Sequence, residues 1–301
     1  MADRRNLSGY QDGYWWSNDG LRLHYREYGA AHAGNGRPPI LCFAGLTRNA
    51  RDYAAVAERL SADWRVIAVD FRGRGESAYA ADPMSYVPLT YLQDVEALFE
   101  HLGIGRFVAF GTSLGGIVTM LLASAERHRI AGALLNDVGP ELDPAGLARI
   151  RSYVGKATWY PTWMHAARAL AESNAEVYPR FSVEDWLAMA KRLYRLNTAG
   201  RIVLDYDMKI AEPFRVPGNE AGPDMWRTLD ALAGKPVLVV RGGTSDILSA
   251  KSADAMLLRL GQRAELVTVP DRGHAPTLEE PAAAAAIDRL LEKVAAEPTP
   301  A

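Results

Sequence analysis

One cysteine, Cys42, stands in 301 residues. It cannot close a disulfide within the chain, which excludes a disulfide framework and a cysteine-built zinc cluster. No apolar run approaches the ~20 residues that a membrane helix needs. The opening stretch, MADRRNLSGYQDGYWW, holds no apolar segment of signal-peptide type. Neither sign of charge dominates: 34 Lys and Arg against 36 Asp and Glu leave −2. A nucleic acid or an anionic membrane surface finds no electrostatic hold on such a chain. Repeats are also missing. These lacks predict a cytoplasmic protein with neither membrane nor nucleic acid as partner. What is present is ordinary globular material, 49% hydrophobic and 23% charged, enough for one large core or a core with an insertion.

Residues 13–28 read as a hairpin, with Asn18-Asp19-Gly20 as its turn and Leu21, Leu23 and Tyr25 alternating with Arg22, His24 and Arg26. That alternation puts His24 on the solvated face. Residues 34–39 are a loop. Short apolar runs at 40–43, 65–69, 107–110 and 131–138 read as buried strands, with Cys42 a small buried hydrophobe in the first. Helical spacing at 52–60, 89–102 and 117–125 lies between them. Strands alternating with helices demand parallel pairing, and sites in such sheets lie beyond the carboxyl ends of the strands. The pattern breaks at 139. Residues 141–212 carry helical, aromatic-rich runs without a buried strand, and 213–223 is a Pro- and Gly-rich connector. Strands at 235–241 and 264–269, helices at 252–260 and 281–294 and a frayed tail at 295–301 complete the chain. The division is 1–139 and 217–301 for the core and 140–216 for a helical cap.

Gly111-Thr112-Ser113-Leu114-Gly115 fits G-x-S-x-G between a strand and a helix, the context of a nucleophile elbow. A turn that sharp forces Ser113 toward positive φ. It leaves no room for side chains at Gly111 and Gly115. A serine hydroxyl needs a base, and the base needs a group to hold it. Of six histidines, His274 follows a strand and sits among loop residues, Asp271-Arg272-Gly273-His274-Ala275-Pro276. Asp246, past the strand at 235–241, completes the order Ser, Asp, His. Asp137, also past a strand, is its rival, or else a loop-capping carboxylate near the cavity. The Leu46 N–H, after the strand at 40–43, and the Leu114 N–H are the expected oxyanion donors.

The segments AGLTRN, DFRGRGES, GTSLGG, GGTSDILS and GHAPTLEEP together resemble the α/β-hydrolase-fold serine hydrolases over about residues 13–294, in the manner of carboxylesterases, enol-lactonases and meta-cleavage-product hydrolases. The resemblance implies a mostly parallel eight-stranded sheet flanked by helices, a helical cap after the sixth strand, and no cofactor or metal. It implies that Asp70, Arg72, Gly73 and Gly75 shape a turn near the site. Many relatives carry His-Gly where this chain has Ala44-Gly45. The backbone donor survives, while a side chain that stiffens the loop is gone. Relatives that open epoxides or remove halide use aspartate at the elbow, so Ser113 points away from those reactions. The leading expectation is hydrolysis of a small, largely apolar carboxylic ester through an acyl-enzyme. C–C bond or lactone hydrolysis by the same residues is one alternative, and a non-catalytic ligand receptor on the same fold another. Arg48, Trp159, Trp163 and Asp137 are candidate substrate contacts, Arg48 for a substrate carboxylate. Small esters, lactones or ketones are the expected partners, and a homo-oligomer is left open.

Overall fold

The computed structural model describes residues 9–216 and 224–297. Residues 1–8, most of the expected connector at 213–223 and most of the expected tail at 295–301 lie outside that range. The first half runs β1 (Tyr10–Trp16), β2 (Arg22–Tyr28), β3 (Ile40–Phe43), α1 (Ala54–Leu60), β4 (Val66–Asp70), α2 (Pro88–Leu102), β5 (Phe107–Thr112), α3 (Leu114–Ala125) and β6 (Ile130–Asn136). An insertion follows: α4 (Pro144–Tyr153), β7 (Trp159–Tyr160), α5 (Trp163–Asn174), α6 (Val183–Leu193), β8 (Tyr194–Leu196) and β9 (Ile202–Leu204). The chain closes with α7 (Met225–Asp230), β10 (Val237–Gly242), α8 (Ala250–Leu260), β11 (Ala264–Val269) and α9 (Pro281–Ala295).

Eight strands form one sheet in the order β1-β2-β4-β3-β5-β6-β10-β11. β1, β2 and β4 pair antiparallel in turn, and every later pairing is parallel. The central strands are apolar up to their carboxyl ends, where Asp70, Thr112 and Asn136 stand, because both faces are covered. Alternate residues feed opposite cores. Leu41, Phe43, Ile67, Val69, Phe107 and Ala109 pack with α2, α3, α7 and α8. Ile40, Cys42, Val66, Ala68, Val108 and Phe110 pack with α1 and α9. Cys42 is buried, and that burial pushes its thiol pKa up.

The insertion leaves the sheet after β6, as expected, but it is not wholly helical. β7, β9 and β8 make a small antiparallel sheet. Strands of two or three residues are too short to show a period of two, which hid them from the sequence. The insertion has its own core of Ala166, Leu170, Tyr178, Trp186, Met189 and Leu193. It is tied to the turn after β4, where Gly75 N donates to Asp205 O at 3.2 Å and Asp207 N to Gly73 O at 2.8 Å. Among the described residues, no helix is long and apolar enough to cross a membrane.

His24 departs from its expected solvated place. It is fully buried, with Nδ1 2.7 Å from Asp70 Oδ2 and Nε2 2.9 Å from Asp12 Oδ1. The hairpin folds back so that β2 lies inside β1 in the sheet, and alternation cannot reveal that both faces of β2 are covered. Burial opposes charging of the ring, but the hydrogen bonds and attraction of Asp70 and Asp12 outweigh it and raise its pKa. A folded-state pKa above the unfolded one, about 6.5, makes the contribution complete below that pH and lost as pH rises through the raised value. The stability advantage of wild type over His24→Gln, read from urea midpoints, is therefore largest in mild acid and shrinks in alkali. A pH-independent difference would contradict this. The same Asp70 accepts from Ala50 N at 2.6 Å and Glu76 N at 3.1 Å, so the cluster holds the loop that follows β3.

Candidate active site

β5 ends and α3 begins with a single residue between them, Ser113, at φ 52° and ψ −117°. A non-glycine residue in such a conformation carries about 1–3 kcal/mol of strain, which the surrounding packing must hold. The glycines make the turn feasible. A Cβ at Gly111 would stand 2.5 Å from Gly115 O, and one at Gly115 1.9 Å from Phe43 O. Ser113 N donates to Asn136 O at 3.0 Å, fixing the elbow to the end of β6.

His274 lies beyond β11. Its Nε2 is 2.9 Å from Ser113 Oγ and its Nδ1 2.8 Å from Asp137 Oδ2. The imidazole is nearly buried and the Asp137 side chain fully so. Asp137 takes φ 54° directly after β6, a left-handed conformation that aspartate tolerates better than most residues. Its Oδ1 accepts from Gly242 N at 2.8 Å and its Oδ2 from Ser245 Oγ at 2.6 Å. Three donors thus converge on one buried carboxylate and set its orientation.

The structure corrects the expectation for Asp246. Its carboxylate is not bonded to the imidazole. Arg149, on α4, grips it with Nε at 2.6 Å and Nη2 at 2.8 Å. Those hydrogen bonds hold the Asp246 carboxyl below the usual carboxylate range. The physical reason is sheet order: β6 and β10 are neighbours, so both strand ends abut the His274 loop. Asp137 is turned inward, and Asp246 is claimed by a cation from the insertion.

The loop after β3 abuts the serine: a Cβ on Gly45 would come within 3.7 Å of Ser113 Cβ. The Leu114 amide is the first of α3, where N–H groups lack an intrahelical acceptor and the helix end is electropositive. Leu46 carries the other candidate donor. Ala44 stands where many relatives carry a histidine in this loop. Arg74 braces the loop, fully buried, with Nε donating to Leu46 O at 2.9 Å. Tyr53 adds a bond to Phe43 O at 3.2 Å and lies 2.7 Å from Thr112 Oγ1. Asn136 Nδ2 reaches Pro276 O at 2.9 Å and steadies the His274 loop.

A cavity of about 580 Å³ opens above Ser113 and His274, between the strand ends and the insertion. Arg48 lines it, bonded to Asp52 through Nε at 2.5 Å and Nη2 at 2.8 Å. Neither Trp159 nor Trp163 does, which corrects that expectation. Trp159 is half exposed under Arg201, and Trp163 packs on the insertion's own core. Tyrosines take their place: Tyr153, Tyr160, Tyr178, Tyr194 and Tyr206. Burial pushes the Tyr178 and Tyr206 hydroxyls up to about 12, so they stay protonated near neutrality. Ser245, Asn136, Arg74, Arg149 and Tyr53 went unread in the sequence because each acts through a contact distant along the chain.

The chain matches the model of the alpha/beta hydrolase family over residues 40–287. It is similar to an alpha/beta hydrolase of known structure from Novosphingobium aromaticivorans, at 58% identity and a TM-score of 0.90, over 96% of this chain and 100% of that one. It is 37% identical to the 3-hydroxybutyrate-oligomer hydrolase of Cupriavidus necator, over 87% of this chain and 89% of that protein. The 2-(acetamidomethylene)succinate hydrolase of Mesorhizobium japonicum is 26% identical over 84% and 85% of the two chains. With the sheet order, the strand-to-helix turn at Ser113 and a family match across most of its length, the chain belongs to the alpha/beta hydrolase family.

Proposed function

We propose that the protein hydrolyses a small carboxylic ester through an acyl-enzyme, with Ser113 as nucleophile, His274 as general base and acid, and Asp137 as the carboxylate that orients the imidazole. One observation carries the reading: the hydrogen-bonded line from Asp137 Oδ2 through His274 to Ser113 Oγ, at 2.8 and 2.9 Å, at the floor of a cavity. Ser113 Oγ attacks the ester carbonyl carbon while its proton passes to His274 Nε2. The oxyanion that forms is met by the Leu46 and Leu114 N–H groups. Removing one such donor costs about 2.7–4 kcal/mol of transition-state stabilisation. The C–O bond then breaks and the alcohol leaves with the proton held on His274. Water attacks the acyl group with His274 as base, the acid departs, and the proton returns to Ser113 Oγ.

The relative named for 3-hydroxybutyrate oligomers supports a linear ester of a hydroxy acid as substrate. The 580 Å³ cavity is of the size that takes small molecules. Its tyrosine wall offers both apolar faces and hydroxyl donors to such a polar ester. Membership of a hydrolase family speaks against a receptor without activity. A panel of p-nitrophenyl butyrate, hydroxy-acid oligomers, lactones and dienoates tests the reading. Turnover of the esters and oligomers is expected. Turnover of lactones or dienoates alone would favour the C–C or lactone alternative.

A further inference from the structure

The charges around the cavity do not cancel. Among the described residues its lining carries four cationic side chains, Arg48, Arg149, Lys156 and Arg192, and one carboxylate, Asp52. Three of the cations are already engaged: Arg48 by Asp52, Arg149 by Asp246, and Arg192 by Glu279 at 3.0 Å. Lys156 has no carboxylate partner among the described residues. Arg192 also keeps a buried Nε–H without an acceptor. One net positive charge therefore faces the space above Ser113, and part of the hydrogen-bonding capacity of the wall is unspent.

The backbone under Lys156 is fixed even though its side chain is exposed. Gly155 adopts φ 75°, and a Cβ there would stand 2.5 Å from Ala211 Cβ and 2.8 Å from Met208 O. Lys156 N donates to Tyr153 O at 3.2 Å. The tight junction between α4 and β7 thus sets Lys156, a residue of the cavity lining, on a fixed stretch of backbone. An ammonium so placed is a point charge suited to a carboxylate that reaches it at varied angles.

We infer that Lys156 is the specificity-determining residue that receives the free carboxylate of the substrate, so that the preferred esters are those of hydroxy acids with an ionised terminus. This rests on the ester-hydrolase reading above. A linear dimer of 3-hydroxybutyrate has one internal ester and one terminal carboxylate. Its methyl ester presents the same internal ester without the charge. Cleavage of the internal bond is followed in both by chromatography of the products, alongside p-nitrophenyl butyrate. Lys156→Ala is expected to raise KM for the acid dimer about fivefold with kcat nearly unchanged. It should spare the methyl ester and p-nitrophenyl butyrate, and Lys156→Arg should restore most of the loss. Added salt should weaken wild-type binding of the acid dimer and not of its methyl ester. An equal change on charged and capped dimers, no change on either, or no cleavage of the acid dimer by wild type would each overturn the role of Lys156. Those outcomes leave the ester-hydrolase reading standing as long as wild type cleaves p-nitrophenyl butyrate through Ser113. Loss of that cleavage overturns both.

Discussion

Asp137→Asn lowers kcat for p-nitrophenyl butyrate by about 10⁴-fold, and Asp246→Asn leaves it within a few-fold. The asymmetry follows from what each carboxylate touches. Asp137 Oδ2 receives His274 Nδ1, and its Oδ1 receives Gly242 N. An amide there has only one oxygen for two obligate donors. If the oxygen serves Gly242, the NH₂ faces Nδ1 and pins the tautomer whose Nε2 carries the proton, which cannot take one from Ser113. If it serves His274, a buried backbone N–H meets another donor. Either way the imidazolium that forms during attack loses its counter-charge. Asp246 is about a third exposed and paired to an equally exposed Arg149. Losing such a pair costs at most about 1 kcal/mol and leaves the imidazole's partners intact. Equal losses in the two variants, or a larger loss in Asp246→Asn, would contradict the assignment.

Ser113→Ala should remove about 10⁶-fold of kcat, as loss of a nucleophile does when the remaining groups act only with it. A companion comparison separates strain from chemistry. Ser113→Gly is equally inactive, but glycine accepts φ 52° without the penalty that alanine keeps. The glycine variant should be more stable than the alanine variant by about 1 kcal/mol. Equal stability would mean that the elbow stores no strain at this residue.

The sheet was legible because its central strands are buried on both faces and therefore read as unbroken apolar runs. The run at 40–43 coincides with β3, and the run at 107–110 falls within β5, both central in the sheet and buried. That Ser113 and His274 meet beyond the strand ends was legible for a different reason. A glycine-flanked serine between strand and helix, and a histidine past the last strand, are marked by local chain order. The carboxylate bonded to the imidazole was not. Choosing between Asp137 and Asp246 requires knowing that β6 and β10 lie side by side and that Arg149 crosses from the insertion to take Asp246. No local pattern records either fact. His24 was misread for the same reason, since a polar residue in an alternating strand looks solvated until Asp70 and Asp12 are seen to close around it. The aromatic residues of the insertion were sorted by polarity. Trp159 and Trp163 stay off the cavity, and the tyrosines, with a hydroxyl to offer, line it.

Labelling by a serine-reactive phosphonate tests the central claim most directly. Intact-protein and peptide mass spectrometry should find one equivalent of adduct, localised to Ser113. The labelling rate should fall sharply in His274→Ala and in Asp137→Asn, while Asp246→Asn labels as wild type does. Adduct on another residue, or a rate that follows Asp246 and ignores Asp137, would contradict the account.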